Sequence, residues 1–104
     1  MTIATPLALR TVPADKLAAN LMRVATEDRY DRHREYAGGD IPFALWLALV
    51  DRRVMLRVGV GIFDLADAPL ADYFEDGISP REAAGLVIEA DDTFGAFALE
   101  HGVF

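Results

Sequence analysis

Residues 64–77, which read DLADAPLADYFEDG, concentrate carboxylate groups in a short stretch of chain. The stretch has no basic residue and five acidic ones, which are Asp64, Asp67, Asp72, Glu75 and Asp76. Carboxylate oxygens are ligands for hard cations such as Ca²⁺, but the spacing does not match the calcium-loop pattern D-x-[DN]-x-[DN]-G with a distal Glu. We therefore expect no metal site here. Two interpretations remain, a plain solvated acidic face and a surface that binds a basic partner.

The two ends of this stretch differ in their relation to the short helix that it predicts. Asp64 and Asp67 would cap or flank the helix N-terminus, where a negative charge is favourable by about 0.3–1 kcal/mol. Glu75 and Asp76 would lie at the C-terminus, where the helix dipole disfavours them by about the same amount. Because stability does not explain these two, they are available to contact a partner, and a plain solvated acidic face remains the other interpretation. The predicted partner-binding residues, which would form one face if the last two helices pack side by side, are Asp72, Glu75, Asp76, Glu89, Asp91 and Asp92.

Side chains suited to acid–base or nucleophilic catalysis are few. The two histidines, His33 and His101, have no Ser or Cys partner at a recognisable spacing, because the chain has no cysteine and its only serine, Ser79, is expected to cap a helix. The lone G-x-G at residues 59–61 lacks a following G-K-S/T and is interpreted as a helix stop. Carboxylate pairs of glycosidase type are not excluded by spacing, but a helical domain of 104 residues leaves little room for a substrate cleft. We expect neither enzymatic activity nor a cofactor.

A second group of side chains that could bind a ligand lies in the charged stretch TEDRYDRHREY. Its arginines and tyrosines could contact phosphates and stack on bases, and they are Arg29, Arg32, Arg34, Tyr30 and Tyr36. Four acidic residues lie among them and cancel their field. The favoured interpretation is therefore a solvated helix face.

The elements that position these groups are delimited by glycine and proline. A first helix is expected from Pro13, because proline suits a first turn, where its missing N–H is not needed. Apolar residues recur at helical spacing in this helix, at Leu17, Leu21 and Val24. The pattern fades after Ala25, so the helix either continues in a solvated form or frays before Gly38-Gly39.

A central helix is predicted at about residues 41–58. Asp40 is a typical N-cap, every residue from Phe43 to Val50 is apolar, and Gly59 stops the helix. A helix that is hydrophobic all round lies in the middle of a fold, so Trp46 is expected in the core. The second half, DRRVMLRV, is expected to be amphipathic, with Val54 and Val58 extending the apolar face and the arginines outward. As a recognition helix, DRRVMLR is expected to be largely committed to the core.

Three further elements are predicted after Gly59. A short turn would place Ile62 and Phe63 in the core. A short helix would follow, capped by Asp67, with Pro69 in its first turn and Gly77 as a left-handed stop. Ser79, Pro80 and Glu82 then form a capping box for another helix. The expected buried face of that helix consists of Ala83, Ala84, Val87 and Ile88.

The fold class that these elements predict is all-α, a compact bundle of four or five helices around the central helix at about 41–58. The length of 104 residues is typical of one domain, so residues 1–104 are expected to form a single domain. The N-terminal dozen residues are compatible with an extended strap. The tail from Asp92 or Thr93 would restart a helix, with Phe94, Phe97 and Ala98 as its docking face. No signal peptide and no apolar run long enough to span a bilayer are found, so a cytoplasmic location away from membranes is expected.

Charge is divided unevenly between the two halves of the chain. Residues 1–58 hold nine basic and seven acidic residues, whereas residues 59–104 hold one basic and ten acidic residues. The net charge is −7 at pH 7. A strongly acidic half repels a nucleic-acid backbone and favours basic protein partners. We therefore expect a host protein with a basic surface as the partner, and no direct contact with nucleic acid.

The order of WLALVDR, a glycine turn, DLADAPLADYFEDG and SPREAA resembles small uncharacterised helical proteins encoded by bacterial phages and plasmids. In those proteins a Trp-Leu helix is followed by a D-L-x-D segment, an aromatic-acidic helix end and S-P-x-E-A. The resemblance covers about residues 43–90. It implies a mobile-element origin and a compact helical unit, and it implies no catalytic role.

Three hypotheses from different classes follow. The leading one is a non-enzymatic interaction module that inhibits a host nucleic-acid-binding defence system, of the anti-CRISPR or antirestriction type. The second is a self-associating structural or regulatory protein, a homodimer through Phe94, Phe97 and Phe104. The third is a small DNA-binding transcriptional regulator, for which DRRVMLR would be the best recognition helix.

Overall fold

The structure, a computed structural model, describes residues 5–91. Over these residues the chain forms five α-helices and three 3-10 helices, with no β-strand. The α-helices are α1 (Ala14–Thr26), α2 (Asp31–Tyr36), α3 (Ile41–Val58), α4 (Leu70–Glu75) and α5 (Pro80–Ala90). The 3-10 helices are η1 (Leu7–Leu9), η2 (Asp28–Tyr30) and η3 (Ile62–Asp64). The predicted all-α bundle around a central helix at 41–58 is confirmed.

Helix α3 lies in the middle of the bundle and packs most extensively against α5 and α1. The Asp40 carboxylate accepts a hydrogen bond from the Phe43 N–H at 3.2 Å, and Gly59 ends the helix in a left-handed conformation, as predicted. Trp46 is fully buried, and its indole N–H donates to the Ile78 carbonyl at 2.9 Å. This bond ties the central helix to the chain segment that leads into α5.

Helix α5 begins and packs as the sequence predicts. The Ser79 hydroxyl accepts a hydrogen bond from the Glu82 N–H at 3.3 Å, and Pro80 occupies the first turn. The four residues of the predicted face are buried, and they are Ala83, Ala84, Val87 and Ile88. Two of them are alanines, and these small side chains let the backbone of α5 approach α3 closely.

The charged stretch after α1 differs from both predicted outcomes. Helix α1 ends at Thr26 because Glu27 adopts an extended conformation, with ψ of 134°. The chain then forms η2 and a separate short helix, α2. It therefore neither continues α1 nor frays. His33 of α2 is only 9% exposed, so the interpretation of this stretch as a wholly solvated face is wrong at that residue.

Helix α4 ends as predicted but does not begin as predicted. Pro69 occupies the N-cap position, so Asp67 lies two residues too early to cap the helix, and it is exposed. At the other end, Gly77 has φ of +77°, and the Ile78 N–H donates to the Tyr73 carbonyl at 3.0 Å. These features form a Schellman C-cap.

The N-terminal segment is not extended throughout, because residues 7–9 form the 3-10 turn η1. Ala8 and Leu9 are fully buried, and the Leu7 side chain lies against Gly77. A Cβ atom at Gly77 would lie 2.5 Å from Leu7 Cδ2. The segment therefore fastens the turn between α4 and α5 to the core. The predicted helix from Asp92 or Thr93 lies outside the described residues.

Candidate functional site

The predicted partner-binding residues that the structure describes fall into two groups, one on α4 and one at the C-terminal end of α5. The first, the α4 acidic group, consists of Asp72, Glu75 and Asp76, which lie on α4 and at its C-cap and are exposed. The second consists of Glu89, which is exposed, and Asp91, at the C-terminal end of α5. Because α5 has 11 residues, its length is about 16 Å at 1.5 Å per residue. Asp92 lies outside the described residues.

The carboxylates of the α4 acidic group are not neutralised by arginines of the first half of the chain. Within residues 5–91, the ion pairs join Arg29 to Glu27, Arg34 to Asp31 and His33 to Asp51. None of them involves the α4 acidic group or Glu89. Glu75 and Asp76 stand at the C-terminal end of α4, whose last turn contains no basic residue. Their charges therefore oppose the helix dipole, as the sequence predicted.

Arg10, from the first half of the chain, contacts the turn that follows α4. Its guanidinium donates hydrogen bonds to the Gly77 carbonyl and, at 2.9 Å, to the Leu7 carbonyl. It makes no ion pair with Glu75 or Asp76. Arg10 thus binds one carbonyl of η1 and one of the α4–α5 turn, and it leaves the carboxylates of the α4 acidic group exposed.

Asp91 has a structural contact. One of its carboxylate oxygens accepts a hydrogen bond from the Ala66 N–H at 2.9 Å, across 25 positions of the chain. This bond holds the loop before α4 against the C-terminal end of α5. Asp91 therefore has a structural role, and the expectation of a single acidic face, which depends on the tail and on Asp92, remains a prediction.

A concave site that the sequence did not predict lies between α1, η2, α2 and α3. It is an open concavity of about 480 Å³, and we refer to it as the basic cleft. Its polar lining is formed by Asn20, Arg23, Arg29, His33, Asp51 and Arg52. A helical domain of this size therefore has room for a concave surface site, although the structure does not test the expectation about a substrate cleft.

Two of the three arginines in the basic cleft carry unpaired charges. Arg23 and Arg52 are exposed and form no ion pair within residues 5–91. Arg29 pairs with Glu27 at 2.9 Å, and its guanidinium also lies over the Tyr30 ring, 4.8 Å from the ring centre. The three guanidinium groups come from α1, η2 and α3, so folding gathers charge that is dispersed along the sequence.

One wall of the basic cleft is held by a histidine–aspartate pair. His33 Nε2 lies 2.9 Å from Asp51 Oδ2, and the other Asp51 oxygen accepts from the Ile62 N–H at 2.9 Å. Gly61 is required beside this carboxylate, because a Cβ atom there would lie 2.6 Å from Asp51 Oδ1. Burial raises the pKa of Asp51, but the hydrogen bonds from His33 and Ile62 and the nearby charges of His33 and Arg32 outweigh it, so the pKa lies below the usual value.

The second half of α3 is more exposed than the sequence suggested. Val54 is fully buried, but Met55 is half-exposed and Leu56 is 76% exposed. The segment DRRVMLR is therefore not largely committed to the core, and that prediction is wrong. The buried side of α3 packs against other helices of the bundle. On its exposed side, Arg52 and Met55 line the basic cleft.

The chemistry available in the basic cleft is recognition of negative charge. His33 and Asp51 form a pair, but the only serine of the chain caps α5 and the chain has no cysteine to act as a nucleophile. Among residues 5–91, no three histidine, aspartate or glutamate side chains converge as metal ligands would. The exposed guanidinium groups, in contrast, are suited to phosphate and carboxylate groups.

Comparison of the chain with protein-family models, with curated proteins and with solved structures finds no match. Among the described residues, no helix is long and apolar enough to cross a membrane.

Proposed function

We propose that this protein is a non-enzymatic interaction module and that the α4 acidic group docks on the basic surface of a partner protein. The observation that carries the proposal is the exposure of Glu75 and Asp76 at the C-terminal end of α4, without an ion pair within residues 5–91. Each charge is unfavourable for the helix by about 0.3–1 kcal/mol. A role in binding accounts for two charges that helix stability does not favour.

In this proposal the carboxylates take the place of nucleic-acid phosphates. A protein that binds nucleic acid presents arginine and lysine side chains to phosphate oxygens, and carboxylates pair with the same side chains. An acidic helical protein of a phage or another mobile element would thereby block a host defence protein, as anti-CRISPR and antirestriction inhibitors do. The mobile-element origin, which the sequence resemblance implies, and the cytoplasmic location are parts of this proposal.

The proposal is tested by capture from a host lysate, followed by identification of the captured protein. We expect a basic nucleic-acid-binding protein, released both by added duplex DNA and by salt, because exposed charges are screened over about 8 Å at physiological ionic strength. The double variant Glu75→Lys/Asp76→Lys should lose this capture. The matched control is Asp28→Lys/Glu35→Lys, which changes the net charge equally at exposed positions of the first half. It should retain capture.

Two outcomes would contradict the proposal. One is capture that does not respond to salt or to the Glu75→Lys/Asp76→Lys change. The other is equal loss in the control variant, which would show that net charge, and not the α4 acidic group, governs binding.

The two alternative functions are separated by simpler measurements. The self-association hypothesis depends on Phe94, Phe97 and Phe104, which lie outside the described residues; light scattering that shows a strict monomer at all concentrations would remove it. The DNA-binding hypothesis gains one observation, because Arg52 and Arg53 are exposed on α3. Tight binding of duplex DNA at physiological salt would place that hypothesis first.

A further inference from the structure

We infer that the basic cleft binds a small phosphorylated molecule with an aromatic body, of which a mononucleotide is the simplest chemical class. The cleft lies in the first half of the chain, apart from the α4 acidic group. Its volume of about 480 Å³ falls within the range of roughly 300–1,000 Å³ that is common for small-molecule sites. It is therefore large enough for a compact ligand, whereas a macromolecule would contact only its rim.

The charge of the basic cleft favours an anion. Arg23 and Arg52 contribute two unpaired positive charges, from α1 and α3, whereas the charge of Arg29 is paired with Glu27. One carboxylate, that of Asp51, also lines the cleft, but both of its oxygens already accept hydrogen bonds, from His33 and from the Ile62 N–H. The planar guanidinium groups of Arg23 and Arg52 each present paired N–H donors, which match the geometry of a phosphate group.

The remaining lining favours an apolar or aromatic body on the same ligand. Ala48 and Leu49 are half-buried, in contrast to the buried residues just before them in α3, and they line the cleft together with Met55. Tyr30 adds an aromatic ring, whose centre lies 5.8 Å from that of His33 in an edge-to-face arrangement. Inorganic phosphate would use the arginines alone, whereas a nucleotide would use the arginines and this apolar lining together.

The histidine wall is already held in place before any ligand binds. His33 is fixed by Asp51, which is fixed in turn by the Ile62 N–H. His33 Nδ1 is buried and has no hydrogen-bond partner within residues 5–91. His33, held by Asp51, is therefore a preformed part of the cleft lining.

The test is a calorimetric titration of the full chain with adenosine monophosphate, with adenosine and inorganic phosphate in parallel. We expect saturable binding of adenosine monophosphate, at least about tenfold tighter than that of either fragment, since about 1.4 kcal/mol corresponds to a factor of ten. Arg23→Glu and Arg52→Glu should each weaken binding at least about tenfold, because each removes a charge-assisted contact and adds repulsion. The matched control, Arg53→Glu, changes the adjacent residue, which does not line the cleft, and should keep the affinity within the same order of magnitude.

Folding of the variants is checked by circular dichroism, and Arg52→Gln serves as a second variant that removes the charge without reversing it. Amide chemical shifts of Tyr30 and His33 should move during titration of the unmodified chain. Absence of saturable binding at millimolar nucleotide would overturn the inference. So would equal weakening by Arg53→Glu, or inorganic phosphate that binds as tightly as the nucleotide. Preferential binding of duplex DNA, with a steep salt dependence, would assign the arginines to nucleic acid instead.

Discussion

At the scale of single residues, the arrangement with most consequences is the contact between His33, Asp51 and the Ile62 N–H. The sequence predicted those positions that depend on neighbours in the chain, such as the N-caps Asp40 and Ser79. It did not predict that His33 would be buried, because its partner is 18 positions away on another helix. A histidine between charged residues is typical of a surface, and only tertiary packing supplies the carboxylate.

Replacement of Asp51 by asparagine should make the stability of the protein less dependent on pH. Because the folded-state pKa of Asp51 is lower than its usual value of 3.8, its ionised form stabilises the fold above that value. This contribution is lost as the pH falls through the folded-state pKa. We expect Asp51→Asn to cost about 1 kcal/mol at pH 7, and the difference from the unmodified protein to shrink below about pH 4.

The measurement is the free energy of unfolding in urea at a series of pH values. Asp67→Asn is the control, because Asp67 is exposed and makes no hydrogen bond or ion pair within residues 5–91. The free energy of unfolding of Asp67→Asn should change with pH in the same way as that of the unmodified protein. A constant difference between Asp51→Asn and the unmodified protein at every pH would show that ionisation of Asp51 does not contribute to stability.

At the scale of elements, the sequence predicted α3, α5 and the glycine at the end of α4. These elements carry local signals, namely a cap, an apolar face and a left-handed stop. The predicted start of α4 was wrong, because Pro69 and not Asp67 occupies the N-cap position. The break at Glu27 was missed because nothing local in the sequence requires it. The basic cleft was missed for a related reason, since its arginines come from three separate elements.

Substitution of Gly77 by alanine should destabilise the protein more than substitution of another left-handed glycine. Gly38 has φ of +63° and open space around it, so Gly38→Ala should cost about 1–2 kcal/mol for the backbone conformation alone. Gly77→Ala has the same conformational cost and also displaces Leu7, which should add about 1–3 kcal/mol. Urea unfolding of both variants measures the difference. Equal costs would mean that Leu7 moves aside freely and that the N-terminal segment does not depend on Gly77.

At the scale of the whole molecule, the two candidate sites have opposite charge and lie in opposite halves of the chain. The sequence predicted this asymmetry, because charge can be counted before the fold is known. The sequence could not predict how the charges are arranged. The structure places the described acidic residues of the prediction on α4 and at the C-terminal end of α5, and it gathers arginines into the basic cleft.

The asymmetry predicts a stability that rises with salt. The net charge of −7 and the scarcity of ion pairs in residues 59–91 leave carboxylates that repel one another. The range of this repulsion falls from about 30 Å at 0.01 M salt to about 10 Å at 0.1 M. Glu75→Lys/Asp76→Lys should raise the thermal midpoint at low salt and lose that advantage at high salt. A midpoint lowered at low salt would show that these carboxylates support the fold.

The bond between Arg10 and the Gly77 carbonyl joins positions 67 residues apart. During synthesis, the segment with the buried Leu9 therefore emerges well before α4, one of the helices that η1 contacts, so the contacts with α4 form late. Closing so long a loop costs conformational entropy, and contacts between residues far apart in the chain form slowly. The contacts near η1 should therefore be among the last to form during folding. A nascent chain that still lacks α4 cannot form the contacts between η1 and α4, and chains with incomplete packing are substrates for chaperones and proteases.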